Sequence, residues 1–372
     1  MFFMIRSLVI IVALFTMLGN SPQCLANQNT SSNLLQNLGD RFILPSGCEN
    51  WESNLEIEIL DLHSFSDKDT YLGDIGSGWT DDSIIQWTSE PNHRPDITTR
   101  ANGNLVCVTI TESTTQDNVT LFESSDNGLS WDYLTTYTAG TDDCDYPAIT
   151  VDVHTDTIYV VFQRTSNANA HQIQGFSYLE GTVTGFTIDM DSDDDIRPRI
   201  CCEYQYGAGN RLYVSYENNK TTSNRELHVA RSLDHGLTWA DWHTRGYGGN
   251  LEYHQQTDIC VTNSGNVCLA YVKGPDSSSL MDLYVEFGDR SDTGTQFPNQ
   301  VAVYVASDNG DRSAYRPSII ASHELDNSMA IAWERERPNG IHQAIYCSYS
   351  ITGGLIWTST PVSSDTDRLR MY

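Results

Sequence analysis

The sequence is short of lysine. Lys68, Lys220 and Lys273 stand against 49 aspartates and glutamates, and the formal net charge is −28. No basic stretch offsets this charge, so nucleic acid and anionic membrane surfaces are not expected partners. The remaining cations are arginines, which recognise carboxylates bidentately better than lysine does. Helical periodicity is scarce as well. No C-x-x-C pair occurs, which argues against a structural zinc site. G-x-S-x-G, H-E-x-x-H and P-loop patterns are missing, so serine-hydrolase, zinc-peptidase and nucleotide-hydrolase readings have no motif support. The ten histidines are scattered without metal-ligand spacing.

Long apolar runs are also few. Arg6 precedes one, Leu8 to Leu18, and Cys24-Leu25-Ala26 supplies a small residue at a possible cut. This resembles a secretory signal peptide over residues 1–26 and is too short to span as a membrane helix. The expected location is therefore secreted or at the cell surface, with no membrane span in the mature chain. Cleavage after Ala26 leaves Cys48, Cys107, Cys144, Cys201, Cys202, Cys260, Cys268 and Cys347. An even count in an exported chain permits disulfides, and buried free thiols inside apolar strands account for them equally well. Residues 27–54, rich in Asn, Ser and Gln, read as a loose leader.

What is abundant is β-forming sequence. Runs of Val, Ile, Thr and Tyr alternate with turns of Gly, Asn, Asp and Ser, and 372 residues suffice for one large β-domain or two ordinary ones. Leu55 to Leu60 and Ser83 to Thr88 read as strands. Then a repeat begins. Arg94-Pro95-Asp96-Ile97 is echoed by Tyr146-Pro147-Ala148-Ile149, Arg197-Pro198-Arg199-Ile200, Gln256-Thr257-Asp258-Ile259 and Arg316-Pro317-Ser318-Ile319. Positions 95, 147, 198, 257 and 317 are 52, 51, 59 and 60 residues apart, a spacing that suits four-stranded propeller blades with long loops. Each unit opens on a strand, and the proline that four of the five carry suits a strand's first residue. A turn follows, such as Asn102-Gly103-Asn104 or Ser264-Gly265-Asn266. A second strand then ends in an apolar residue and a polar one, as in Phe162-Gln163, Tyr216-Glu217 and Trp333-Glu334.

A second motif marks the turn before the last strand in three of the units. Ser232-Leu233-Asp234-His235-Gly236-Leu237-Thr238-Trp239 recurs as Ser124-Ser125-Asp126-Asn127-Gly128-Leu129-Ser130-Trp131. A worn copy runs from Ser350 to Trp357. Asp234 and Ser232 can accept bonds from backbone N–H groups further on, Gly236 permits positive φ, and Trp239 opens the next strand with an apolar anchor. The pattern S-x-D-x-G-x-[ST]-W resembles the Asp box, or BNR repeat, of the sialidase-like β-propellers. The resemblance covers roughly residues 83 to 372. It implies an all-β propeller over 55–372, with five recognisable four-stranded blades and six in the complete ring. In that family the Asp box is structural, so Ser124, Asp126, Gly128, Trp131, Ser232, Asp234, Gly236 and Trp239 are expected to hold turns. Asp365 to Tyr372 resembles the run-in before Pro147, which places the end of this sequence at the threshold of a sixth blade. The alternative is a five-bladed ring patched by Leu55 to Thr88.

Candidate ligand groups fall at the opposite ends of the blades. Arg94, Arg197 and Arg316 each precede an inner-strand residue of the repeat and could form a carboxylate clamp. The resemblance implies three arginines on a sialic-acid carboxylate, a tyrosine nucleophile activated by a glutamate, and an acid. The family's Arg-Ile-Pro motif is not matched at Arg94, and the arginines could instead pair with acids of neighbouring loops. Glu217 and Glu334, ending second strands, are the carboxylate candidates. Asp189-x-Asp191-x-Asp193 resembles the start of a calcium loop without its glycine and distal glutamate. No cofactor is required by these features, and Ca²⁺ is a possible one. The expected function is an exported propeller that binds glycans or other surface ligands. The alternative is an exo-α-sialidase.

Overall fold

The computed structural model describes residues 85, 92–166, 171–188, 194–204, 211–221, 224–246, 253–275, 280–288, 297, 299–304, 313–322, 328–336 and 343–361. The signal-like segment, the leader, the expected strands before residue 92, Asp189, Asp191, Asp193 and the C-terminal run from Asp365 lie outside the described residues, Ile85 excepted.

Twenty strands form five antiparallel four-stranded sheets. The first holds β1 (Asn92–Thr99), β2 (Leu105–Thr111), β3 (Asn118–Ser124) and β4 (Asp132–Tyr137). The second holds β5 (Asp143–Asp152), β6 (Thr157–Thr165), β7 (His171–Leu179) and β8 (Thr182–Thr187). The third holds β9 (Asp195–Cys202), β10 (Leu212–Thr221), β11 (Asn224–Ser232) and β12 (Ala240–Arg245). The fourth holds β13 (Tyr253–Val261), β14 (Val267–Gly274), β15 (Asp282–Gly288) and β16 (Asn299–Tyr304). The fifth holds β17 (Ala314–Ala321), β18 (Met329–Glu336), β19 (Gln343–Ser350) and β20 (Thr358–Pro361). Within every sheet the strands lie in sequence order, so each sheet is a meander like a propeller blade. All five sequence repeats fall in first strands.

The second strands explain why simple alternation of apolar and polar residues is missing. In β6 the run Thr157–Gln163 is buried throughout, because both faces of the sheet are covered. Period two then sorts the side chains by neighbour. Ile158, Val160 and Phe162 pack with the first blade, against Val106, Val108 and Ile110. Tyr159 and Val161 pack with the third, against Leu212, Val214 and Tyr216. The same division recurs in β14, whose Val267, Leu269 and Tyr271 join the third blade and whose Cys268, Ala270 and Val272 join the fifth. Each fully buried aliphatic side chain contributes about 1.5–3 kcal/mol. The outer strand β8 is mostly exposed and carries little of this core. Four apolar layers therefore join the blades in series. No comparable packing joins the fifth blade to the first among the described residues.

The seven described cysteines are free thiols, and five of them are buried.

Candidate ligand-binding face

One end of each blade carries the turns between third and fourth strands. Ser232 is buried there, and its hydroxyl accepts the Gly236 N–H at 2.8 Å while donating to Asp234 at 2.9 Å. Asp234 in turn accepts the Thr238 N–H at 2.8 Å and the Thr238 hydroxyl at 2.5 Å. These bonds hold the Asp234 carboxyl below the usual carboxylate range, led by the Thr238 hydroxyl. His235 and Gly236 take positive φ of 60° and 80° in succession, which makes glycine the natural second residue. The first-blade turn repeats the net bond for bond, with Ser124, Asp126 and Ser130. In the worn copy Thr352 stands where the aspartate does, and its hydroxyl accepts the Ile356 N–H at 2.9 Å. Trp131 and Trp239 do not open strands as expected. They precede β4 and β12, and each indole N–H folds back onto the turn glycine's carbonyl at 3.2 and 3.1 Å.

The opposite end gathers the starts of the first strands and the ends of the second. Every first strand is bulged there. Arg94, Tyr146, Arg197, Gln256 and Arg316 adopt positive φ of 51°, 48°, 54°, 55° and 47°. The strand registers slip at the same points. The prolines of the repeat thus sit inside strands, not at their first residue. The bulge tolerates them because it removes the ladder bond their missing N–H would have made. A non-glycine residue in this conformation costs on the order of 1–3 kcal/mol. Five equivalent instances at one end point to a device that re-aims side chains.

Those side chains meet in an ordered way. Arg94 lies over the Tyr146 ring at 3.8 Å and pairs with Asp145. Arg197 lies 5.5 Å from the same ring and bonds Glu217 at 3.3 Å. Glu217 is fully buried and also accepts Arg225 at 2.7 Å and the Gln256 N–H at 3.0 Å. Burial works against the charge on Arg197, but Glu217 and the Tyr146 hydroxyl outweigh it and keep the guanidinium protonated. Arg316 makes its contacts elsewhere, with Glu334 at 3.2 Å through its side chain and with Gln256 at 2.6 Å through its N–H. Two of the three expected arginines therefore flank one tyrosine, and the third does not join them there. Arg197 and Arg316 pair with glutamates of their own blade, while Arg94 pairs with a loop-proximal acid of the next.

Sequence reading missed Tyr146 as the hub and Arg225 as the second cation on Glu217. The aligned repeat carried the signal for Tyr146, since it occupies the arginine position of the second blade. Nothing local singles out Arg225. Below the bulges, Asp96, Arg199 and Asp258 occupy one equivalent position of three blades. Asp96 accepts the Ile149 N–H of the second blade at 3.0 Å, and Asp258 accepts the Ile319 N–H of the fifth at 2.7 Å. Burial pushes the Asp258 carboxyl up to about 6, against the pull of Arg199. Both aspartates keep some accessible surface.

A tyrosine–glutamate pair does exist at hydrogen-bond distance, but buried between blades and not open on this face. The Tyr271 hydroxyl donates to Glu286 at 2.6 Å, and both side chains are fully buried between the third and fourth blades. Burial and Glu286 together raise the Tyr271 phenol strongly, so it is the wrong group to attack a substrate.

No family model matches the chain, and no curated relative matches it. Among solved structures, a protein of unknown function from Dyadobacter fermentans is 14% identical over 72% of this chain and 78% of its own, with a TM-score of 0.53. That likeness shows the fold alone. An α-L-arabinanase from Penicillium chrysogenum is 9% identical over 73% and 93% of the two chains, at a TM-score of 0.48. A Hadza microbial sialidase is 13% identical over 73% and 58%, at a TM-score of 0.46. The class that the fold defines is an all-β chain of propeller-like four-stranded blades. No helix of the described residues is long and apolar enough to cross a membrane.

Proposed function

We propose that this chain is an exported, sialidase-like propeller that binds acidic glycans on the face opposite the S-x-D-x-G turns. One observation carries the reading. Arg94 and Arg197 both lie against the Tyr146 ring, and their side chains remain 37% and 35% exposed. Two partly solvated guanidiniums gathered at one tyrosine ring offer the carboxylate or sulfate of a sugar two charged donors. Glu217 is fully buried, and its oxygens are already engaged by Arg197, Arg225 and the Gln256 N–H. Binding without catalysis is accordingly favoured over the exo-α-sialidase reading. Closure by a sixth blade, and Ca²⁺ at Asp189, Asp191 and Asp193, belong to the same proposal.

A panel of sialylated, uronic-acid, sulfated and neutral glycans tests it. Acidic glycans should bind and neutral ones should not. Arg94→Ala and Arg197→Ala should each weaken binding about tenfold or more, with unfolding temperature recorded alongside. Equal binding of neutral glycans, or undiminished binding by both folded variants, overturns the reading. Release of free sialic acid, seen by mass spectrometry, replaces it with the hydrolase.

A further inference from the structure

We propose that Cys260 and Cys268 are a disulfide-forming pair that locks the first hairpin of the fourth blade under oxidising conditions. The two residues lie directly opposite each other on β13 and β14. Opposed residues of an antiparallel pair point to the same face, with Cα atoms about 4.5–5.5 Å apart. A disulfide spans Cα separations of about 4.4–6.8 Å, so the bridge needs only rotation about side-chain bonds. The neighbouring Cys268 thiol, together with burial, holds the Cys260 thiol protonated.

No other described cysteine has this placement. Cys107 stands opposite Ile97 and Phe122, Cys144 opposite Arg164, Cys201 opposite Tyr213, Cys202 opposite Leu212, and Cys347 opposite Ala332 and Thr360. The connecting turn also fixes the register. The Thr262 N–H donates to the Asn266 carbonyl at 2.9 Å, and the Asn266 N–H donates to the Thr262 hydroxyl at 3.0 Å. Such a short hairpin can pair before the blades pack.

That order of events matters for the chemistry. In the folded chain Cys268 is fully buried, and its sulfur lies 3.7 Å from the Met329 sulfur of the fifth blade. Thiolate is scarce there and an oxidant has no access. The bond therefore forms while the hairpin is paired and still open to solvent. With glutathione disulfide as oxidant, one cysteine thiolate attacks it, giving a mixed disulfide and releasing one glutathione thiolate. The second cysteine thiolate attacks the protein sulfur of that mixed disulfide, and the second glutathione leaves. Two protons and two electrons pass from the cysteine pair, and the oxidant ends as two thiols. Packing of the fifth blade over Cys268 then shields the bond from reductants.

The test is refolding of the full chain from denaturant, with and without a glutathione redox buffer. Free thiols are then alkylated and the unreduced protein is peptide-mapped. The oxidised sample should lose two titratable thiols, show one linked pair, Cys260 to Cys268, and unfold at a higher temperature than the reduced one. A Cys268→Ser chain should show no linked pair at Cys260. Alkylation of both cysteines in an oxidatively refolded chain of native circular dichroism overturns the proposal. So does a link from either residue to another cysteine, such as Cys201.

Discussion

Ser232 shows what one buried hydroxyl does. It receives one backbone N–H, donates to Asp234, and fixes where Gly236 turns. Ser232→Ala leaves the Gly236 N–H unpaired in a buried turn and should cost on the order of 1–3 kcal/mol, read as a lower urea midpoint. Asp258 shows the opposite case, a carboxyl kept where ionisation is unfavourable. Its folded value, near 6, lies above the ordinary 3.8. The stability it contributes is thus fully present below about pH 3.8 and is lost as pH rises through about 6. Asp258→Asn retains an acceptor for the Ile319 N–H but cannot ionise. Relative to the parent it should gain on the order of 2–3 kcal/mol between pH 4 and pH 7, with Arg199 and Asp96 unchanged. Urea unfolding at both pH values checks this, and an identical difference at the two would refute it.

At the scale of the element, the bulged first strand is the recurring unit. It trades one ladder bond and a strained residue for a side chain re-aimed at the face where Arg94, Tyr146 and Arg197 meet. The third strand sets a different constraint. Gly175 in β7 stands opposite Phe186 of β8, and a Cβ there would lie 2.5 Å from that ring and press on the Val160 carbonyl. Phe186 cannot retreat freely, because it packs in the layer between second and third blades and against Trp239 at 5.5 Å. Gly175→Ala should therefore destabilise the chain by more than about 2 kcal/mol, seen in chemical unfolding.

At the scale of the molecule, the blades are held by apolar layers and by a few buried polar ties. One runs from Arg245 of the third blade to Glu286 of the fourth, at 2.5 Å from its Nε, with Tyr271 and His243 beside it. Burial opposes the charge on Glu286, but these partners hold its carboxyl below the usual range. Arg245→Ala strands that carboxylate in the interior and should cost about 3 kcal/mol or more. Adding Glu286→Gln to it should recover part of the loss, because the uncompensated charge is then gone. Thermal unfolding of the two variants beside the parent gives the comparison, and equal losses would show that the tie is not electrostatic.

The all-β class, the five blade starts and the hydrogen-bonded turns were legible in the chain itself. They depend on local properties: apolar period, proline and glycine placement, and short-range side-chain bonds such as those of Ser232 and Asp234. Arg94, Arg197 and Arg316 were legible as positions but not as partners. The repeat put them at one end of the blades, yet only packing decided that Arg94 and Arg197 share Tyr146 while Arg316 turns to Glu334 and Gln256. Arg225 on Glu217, and Arg245 on Glu286, carry no local mark at all. Ion pairing depends on distance in space, and residues from separate strands and blades are brought within reach only when the apolar layers close.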